Sequence, residues 1–388
     1  MLRLAARSWL AAVLTLPVLA QPAPPTDFSA ADARADFDTL RKAIEEAHGA
    51  PYRFSPKAEL DRRFDAIRAR IDGPLSQRAF IGLVSEALAA LGDGHSRIEY
   101  DEATTAAIAD ARLLPLKILV EGERLIVISN DTPADATIRP GMEILSINGR
   151  AARGILSTLF PRLSGDGFIE TGRRGRLFRT FPTAYWLYVD AADTFEISAR
   201  VGSGKTVKTR LAGIRNADRE KNVNPVNAAV EANIARLDGP KENVSLRFVD
   251  EPAIAILKIR GFGGETFRAE VEAAVKTLRE RGAKALILDL RRNGGGVDEY
   301  GAFLVSQFVA KPFRYFDRIH IATTEPSFST WKPETAERLK KNVVPDPAGG
   351  FLATPALHSG VGEQQPSAAP YLGPLVVLID GGSFSTTT

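Results

Sequence analysis

Apolar residues recur at helical spacing early in the chain and then give way to short β-type runs, so the chain changes architecture along its length. Phe37, Leu40, Ile44 and Ala47 share one helical face. Leu60, Phe64 and Ile67 share another over residues 57–71. A third helix is expected over residues 76–91, opened by the cap residue Ser76 and stopped by Gly92. From Leu113 the pattern predicts strands at 116–120, 125–129, 144–147 and 195–201, with turns at Glu121-Gly122-Glu123, Asn148-Gly149 and Gly202-Ser203-Gly204. Gly204-Lys205-Thr206 is not read as a phosphate loop, because position 199 is Ala where the first glycine belongs.

A polar, Asn-rich stretch at 215–227 leads into a third region. It is expected to hold a strand at 254–259, then a helix with Phe267, Val271, Ala274, Val275 and Leu278 on one face, ending at Gly282. A strand at 285–290, a helix at 298–308 and a last strand at 375–379 follow, and this alternation predicts a mixed or parallel α/β sheet. Residues 323–371, rich in Pro, Gly, Ser and Thr, are long for a plain loop and suit an insertion that covers substrate. Two of the strands end abruptly in glycines. One runs into Arg291-Arg292-Asn293-Gly294-Gly295-Gly296, the other into Asp380-Gly381-Gly382-Ser383-Phe384-Ser385. A parallel sheet presents backbone N–H groups and reactive side chains at this carboxyl edge.

Composition narrows the function classes. With 388 residues, 44% hydrophobic and 25% charged, the chain is globular and long enough for two or three domains. Arg3 and Arg7, the apolar stretch 9–19 and Ala20 match a secretory signal over residues 1–20, followed by a Pro-rich linker at 21–27. The stretch falls short of the roughly 20 apolar residues a bilayer span needs. The formal charge is +3, and residues 1–20 hold two arginines and no acid, which leaves about +1 on the remainder and gives no argument for nucleic acid. The absence of cysteine excludes disulfides, thiolate nucleophiles, Cys-ligated zinc and a lipidated cysteine. An exported protein is expected, periplasmic in a Gram-negative host.

Ser385 follows a strand and a glycine turn, where a sharp bend would hold its hydroxyl out of the sheet; the alternative is a helix N-cap. A serine nucleophile needs a base, and the chain offers only His48, His95, His320 and His358. His95 lies in Leu91-Gly92-Asp93-Gly94-His95-Ser96, where a helix ends in a tight turn and a strand is expected to begin, so its ring can face a cleft or serve structure. His48, at a helix end, is read as structural, and His320 and His358 have no partner motif. No spacing suits a metal site. The glycine run 294–296 suits an oxyanion hole, or a phosphate at the start of the next helix, with Asp289 and Arg291 supporting the loop.

In order along the chain, these segments resemble the carboxyl-terminal processing peptidases and their relatives, the tricorn core protease and the interphotoreceptor retinoid-binding protein repeats. The resemblance is carried by Asp93-Gly94-His95, by Ile138-Arg139-Pro140-Gly141-Met142-Glu143-Ile144-Leu145-Ser146-Ile147-Asn148-Gly149, which is similar to a PDZ segment, and by Ile259-Arg260-Gly261-Phe262. It continues through Asp289-Leu290-Arg291-Arg292-Asn293-Gly294-Gly295-Gly296 and Gly382-Ser383-Phe384-Ser385. It implies Ser385 as nucleophile, His95 as the base of the histidine-using branch, and an oxyanion hole from the N–H groups of Gly295 and Thr386. Asn293 and Ser96 join Asp289 and Arg291 as supporting residues. The lysine base of the processing branch, or the orienting glutamate of the tricorn-like branch, would fall beyond Thr388, and the sheet is expected to continue there. Leu114-Pro115-Leu116 departs from the pattern, since it offers no glycine-rich carboxylate-binding loop.

The resulting expectation is a multi-domain α/β protein. A helical domain at 28–111 carries the Asp-Gly-His turn, a PDZ-like β-rich domain spans 112–214, and an α/β core of the ClpP/crotonase-like type spans 215–388. The expected activity is hydrolysis of polypeptide substrates by an exported serine endopeptidase, without cofactor, metal, nucleic acid or membrane span. The alternative is an inactive relative that binds peptides or apolar ligands. The oligomeric state is not legible in the sequence.

Overall fold

The computed structural model describes residues 27–387, apart from 134, 203, 220, 222–223, 239, 250–252 and 329–331. The expected signal at 1–20, and the linker up to residue 26, lie outside the described residues. The first hydrophobic core is helical. Helices Ala30–Ala47, Lys57–Ala69 and Gln77–Ala90 bury Phe37, Ile44, Leu60, Phe64, Ile67 and Leu88 against one another. Ser29 and Ser76 cap two of them, their hydroxyls accepting the Asp32 and Ala79 N–H groups. The third helix stops where Gly92 takes a left-handed φ of +67°. No strand follows His95, contrary to expectation; residues 96–101 are irregular and lead into a further helix, Glu102–Asp110.

The second core is built on an antiparallel sheet. Its strands run in the order Leu116–Glu121, Arg124–Asn130, Glu143–Ile147, Thr194–Arg200 and Thr206–Ala212, with Arg150–Ala151 paired to the third. The four expected strands are present, each within a residue or two of its predicted ends. The module is less purely β than its pattern suggests, because helices Ala152–Leu159 and Glu170–Tyr188 cover one face. Leu156, Leu177, Phe181 and Tyr185 pack there on Ile118, Leu125, Ile144 and Ile197. Each such side chain removed from water contributes roughly 1.5–3 kcal/mol.

The Asn-rich stretch is no solvated spacer. Asn224 and Asn227 are buried, and Asn227 both accepts the Asn130 N–H and donates to the Asn130 carbonyl, each at 2.9 Å. The side chain thus stands in for a strand partner and staples the segment to the sheet. A helix, Ala228–Asp238, and a strand, Val244–Val249, follow; the apolar pattern announced neither.

The third core surrounds a four-stranded sheet ordered Leu375–Leu378, Ala285–Asp289, Ile254–Ile259, Val244–Val249. The first three are mutually parallel and the last is antiparallel, so the sheet is mixed. Helix Phe267–Glu280 buries the predicted face, Phe267, Val271, Ala274, Val275 and Leu278. Helix Asp298–Ser306 adds Leu304 to the same core. The described part of 323–371 carries elements of its own: strands Val343–Pro345 and Phe351–Ala353, with His320–Ile321, form a small sheet beside helix Pro333–Lys341. Because the first three strands of the mixed sheet are parallel, the segments after Ile259, Asp289 and Leu378 all emerge at one edge.

Candidate active site

At that edge the turn carrying Ser385 is fastened to the glycine loop beside it. Ser383 Oγ donates to the Leu290 carbonyl at 2.8 Å and accepts the Asp380 N–H at 3.0 Å. Asp380 Oδ1 accepts the Arg292 and Gly382 N–H groups at 2.9 and 2.8 Å, and the Phe384 N–H donates to the Asn293 carbonyl at 3.0 Å. These bonds hold Ser385 at a φ of +60°, a conformation that costs a non-glycine residue about 1–2 kcal/mol. Ser385 opens a single 3-10 turn, Ser385–Thr387, and its hydroxyl faces His95 across the cleft.

His95 arrives from the helical core, and its Nε2 lies 3.0 Å from Ser385 Oγ. Its ring stacks on Phe384, centroids 4.5 Å apart and planes tilted by 31°. A Cβ at position 94 would lie 2.6 Å from the Phe384 ring, so only glycine lets this turn approach. The turn is clamped by two carboxylates: Asp166 Oδ1 accepts the Gly94 N–H at 2.8 Å, and Asp93 Oδ1 accepts the His95 N–H at 2.9 Å. Asp93 Oδ2 also meets His48 Nε2 at 3.0 Å and accepts from Ser96 Oγ at 2.7 Å. The His48 bond first, then those from Ser96 and the His95 N–H, hold the Asp93 carboxyl well below the usual range against the upward push of burial.

The glycine loop rests on a buried charge pair. Asp289 accepts from Lys258 Nζ at 3.2 Å and from Arg291 Nε and Nη2 at 2.9 and 2.8 Å. Burial alone would raise the Asp289 carboxyl, but the Arg291 and Lys258 bonds outweigh it and hold it low. Asn293 is fully buried, and its Oδ1 accepts the Gly295 N–H at 2.9 Å. The Gly295 N–H is thus engaged within its own loop. Gly295 also abuts the Ser385 turn, since a Cβ there would lie 2.7 Å from Ser385 Cβ. On the far side, Thr386 Oγ1 shares its one proton between Asp298 Oδ1 at 2.7 Å and the Gly296 carbonyl at 3.0 Å.

The four histidines all find partners. His48, read from sequence as structural only, reaches the His95 turn through Asp93. His358 Nε2 lies 3.4 Å from Asp298 Oδ2, and His320 Nδ1 lies 3.2 Å from Asp346 Oδ2, so both have partners that sequence spacing did not reveal. The fold also brings potential ligand atoms of Asp93, His95 and Asp166 within 4.8 Å of one another, a cluster invisible in the spacing. Both carboxylates there accept N–H groups of the same turn, which accounts for the grouping without an ion. Sequence reasoning also missed Asp166, Asp298 and Lys258. Asp93 was in view as part of a quoted motif, but nothing in the sequence tied it to His48.

His95 and Ser385 open onto a cavity of ≈ 960 Å³ whose walls include Phe262, Leu290, Leu304 and Phe308. Ser385, His95 and an apolar cleft thus share one wall of the molecule.

Residues 253–388 match Peptidase family S41. No curated protein matches the chain in sequence. Among solved structures, mature CPAF is similar with a TM-score of 0.59 at 14% identity, over 92% of this chain and 80% of that one. Mature CPAF complexed with lactacystin gives 0.58 at 14% identity, over 90% and 79%. At such identity the likeness is one of fold.

Proposed function

Through residues 253–388 the chain belongs to Peptidase family S41 and is a serine peptidase, and on that premise we propose that it is an exported endopeptidase of polypeptides with Ser385 as its nucleophile and His95 as its general base. The observation that carries the reading is the 3.0 Å approach of His95 Nε2 to Ser385 Oγ between residues 290 positions apart. Nε2 takes the hydroxyl proton as Oγ attacks the scissile carbonyl, then gives it to the leaving amine; water repeats the cycle on the acyl-enzyme. Thr386, the residue after the nucleophile, supplies one oxyanion N–H. The second comes from the glycine run, with the Gly295 N–H turning from Asn293 Oδ1 to the substrate oxygen. Each such donor is worth about 10²–10³ in kcat.

The apolar walls of the cleft suit a large apolar side chain beside the scissile bond. The sheet of the second core presents an edge strand, Thr206–Ala212, on which an extended polypeptide can be added, in keeping with a PDZ-like role. Export is supported by the Arg3, Arg7 and 9–19 pattern. Among the described residues, no helix is long and apolar enough to cross a membrane. Ser385→Ala should abolish cleavage of an unfolded, fluorophore-quenched test protein without altering thermal unfolding. Undiminished turnover would refute the assignment.

A further inference from the structure

We infer that Asp93 is the positioning carboxylate of the His95 base and that His48 holds Asp93 in that role; the inference rests on reading Ser385 and His95 as nucleophile and base. His48 closes the Ala30–Ala47 helix, and its Nδ1 accepts the Ala50 N–H at 3.1 Å. A ring nitrogen that accepts carries no proton, so the proton sits on Nε2 and is donated to Asp93 Oδ2 at 3.0 Å. The backbone therefore fixes the His48 tautomer, and His48 acts as a neutral donor of set direction. With Ser96 Oγ on the same oxygen and the His95 N–H on Oδ1, three donors orient the Asp93 carboxylate.

So oriented, Asp93 Oδ1 lies 3.8 Å from His95 Nδ1, on the side of the imidazole away from Ser385. A closure of less than about 1 Å makes this a hydrogen bond. A carboxylate there favours the tautomer with its proton on Nδ1, leaving the Nε2 lone pair for the serine proton, and it stabilises the imidazolium formed during attack. Asp166, the neighbouring carboxylate, spends Oδ1 on the Gly94 N–H and so serves the turn's backbone. Arg176 Nη2 adds a further tie to the Gly94 carbonyl at 3.3 Å. The geometry assigns a share of the orienting role to Asp93.

The test uses the full chain and an unfolded, fluorophore-quenched protein substrate, with S385A measured first. Turnover by S385A would sink the nucleophile reading itself, independently of Asp93. With S385A inert, Asp93→Asn, whose amide favours the wrong tautomer, should lower kcat about 100-fold and leave KM within about twofold. His48→Phe, which keeps an aromatic ring but loses the donor, should lower kcat about tenfold, and His48→Gln, which places an amide N–H near the Nε2 position, should recover most of that loss. The inference is overturned if D93N keeps kcat within threefold of the wild type, if its loss lies in KM, or if H48F and H48Q fall equally.

Discussion

At the scale of single residues, the site depends on two places where a side chain is strained or forbidden. Ser385 holds a left-handed backbone conformation because Ser383, Asp380 and Asn293 fasten the turn on both sides. Gly295 sits at a φ of +96° with no room for a Cβ, which would fall 2.7 Å from both Ser385 Cβ and the Phe384 carbonyl oxygen. Gly295→Ala should therefore displace the nucleophile turn, costing about 1–3 kcal/mol of stability and at least about 100-fold in kcat. Thermal unfolding with single-turnover kinetics checks this; wild-type kinetics in G295A would show that the loop does not bear on Ser385. Much of this scale was legible. The glycine turns drew attention to Ser385 and Gly295, and the Asp93-Gly94-His95 turn drew attention to His95. What was not legible were the contacts made across the fold: His48 with Asp93, 45 residues apart, and Thr386 with Asp298, 88 apart, follow no local spacing.

At the scale of elements, strongly periodic segments were readable and interrupted ones were not. Ser76 and Gly92 marked the ends of the Gln77–Ala90 helix, because cap chemistry is local. The 19-residue Glu170–Tyr188 helix escaped because Gly172, Gly175 and Pro182 and several arginines break its pattern, although Leu177, Phe181, Ala184 and Tyr185 do share one buried face. One of these glycines, Gly175, has a packing use. A Cβ at Gly175 would lie 2.3 Å from the Gly381 carbonyl oxygen, so the helix packs backbone to backbone on the turn that leads to Ser385. Gly175→Ala adds helix propensity yet should destabilise the protein by about 1–3 kcal/mol and lower kcat. A raised melting temperature with unchanged kcat would show that this contact is loose.

At the scale of the whole molecule, the second core buttresses both the His95 turn and the Ser385 turn. Ser164 Oγ donates to the Ser96 carbonyl at 2.6 Å and the Gly167 N–H to the Gly92 carbonyl at 2.7 Å, next to the base. A few residues later, Thr171 and Gly175 press on Gly381, next to the nucleophile turn. Three separately built cores thereby present one imidazole and one hydroxyl to one cleft, with the mixed sheet supplying the glycine loops at its carboxyl edge. That convergence is the central claim, and covalent labelling tests it most directly. Incubated with a fluorophosphonate and mapped by peptide mass spectrometry, the wild-type chain should carry a single adduct on Ser385, and His95→Asn should slow its formation at least about 100-fold. An unlabelled Ser385, or labelling at the same rate in H95N, would contradict the account.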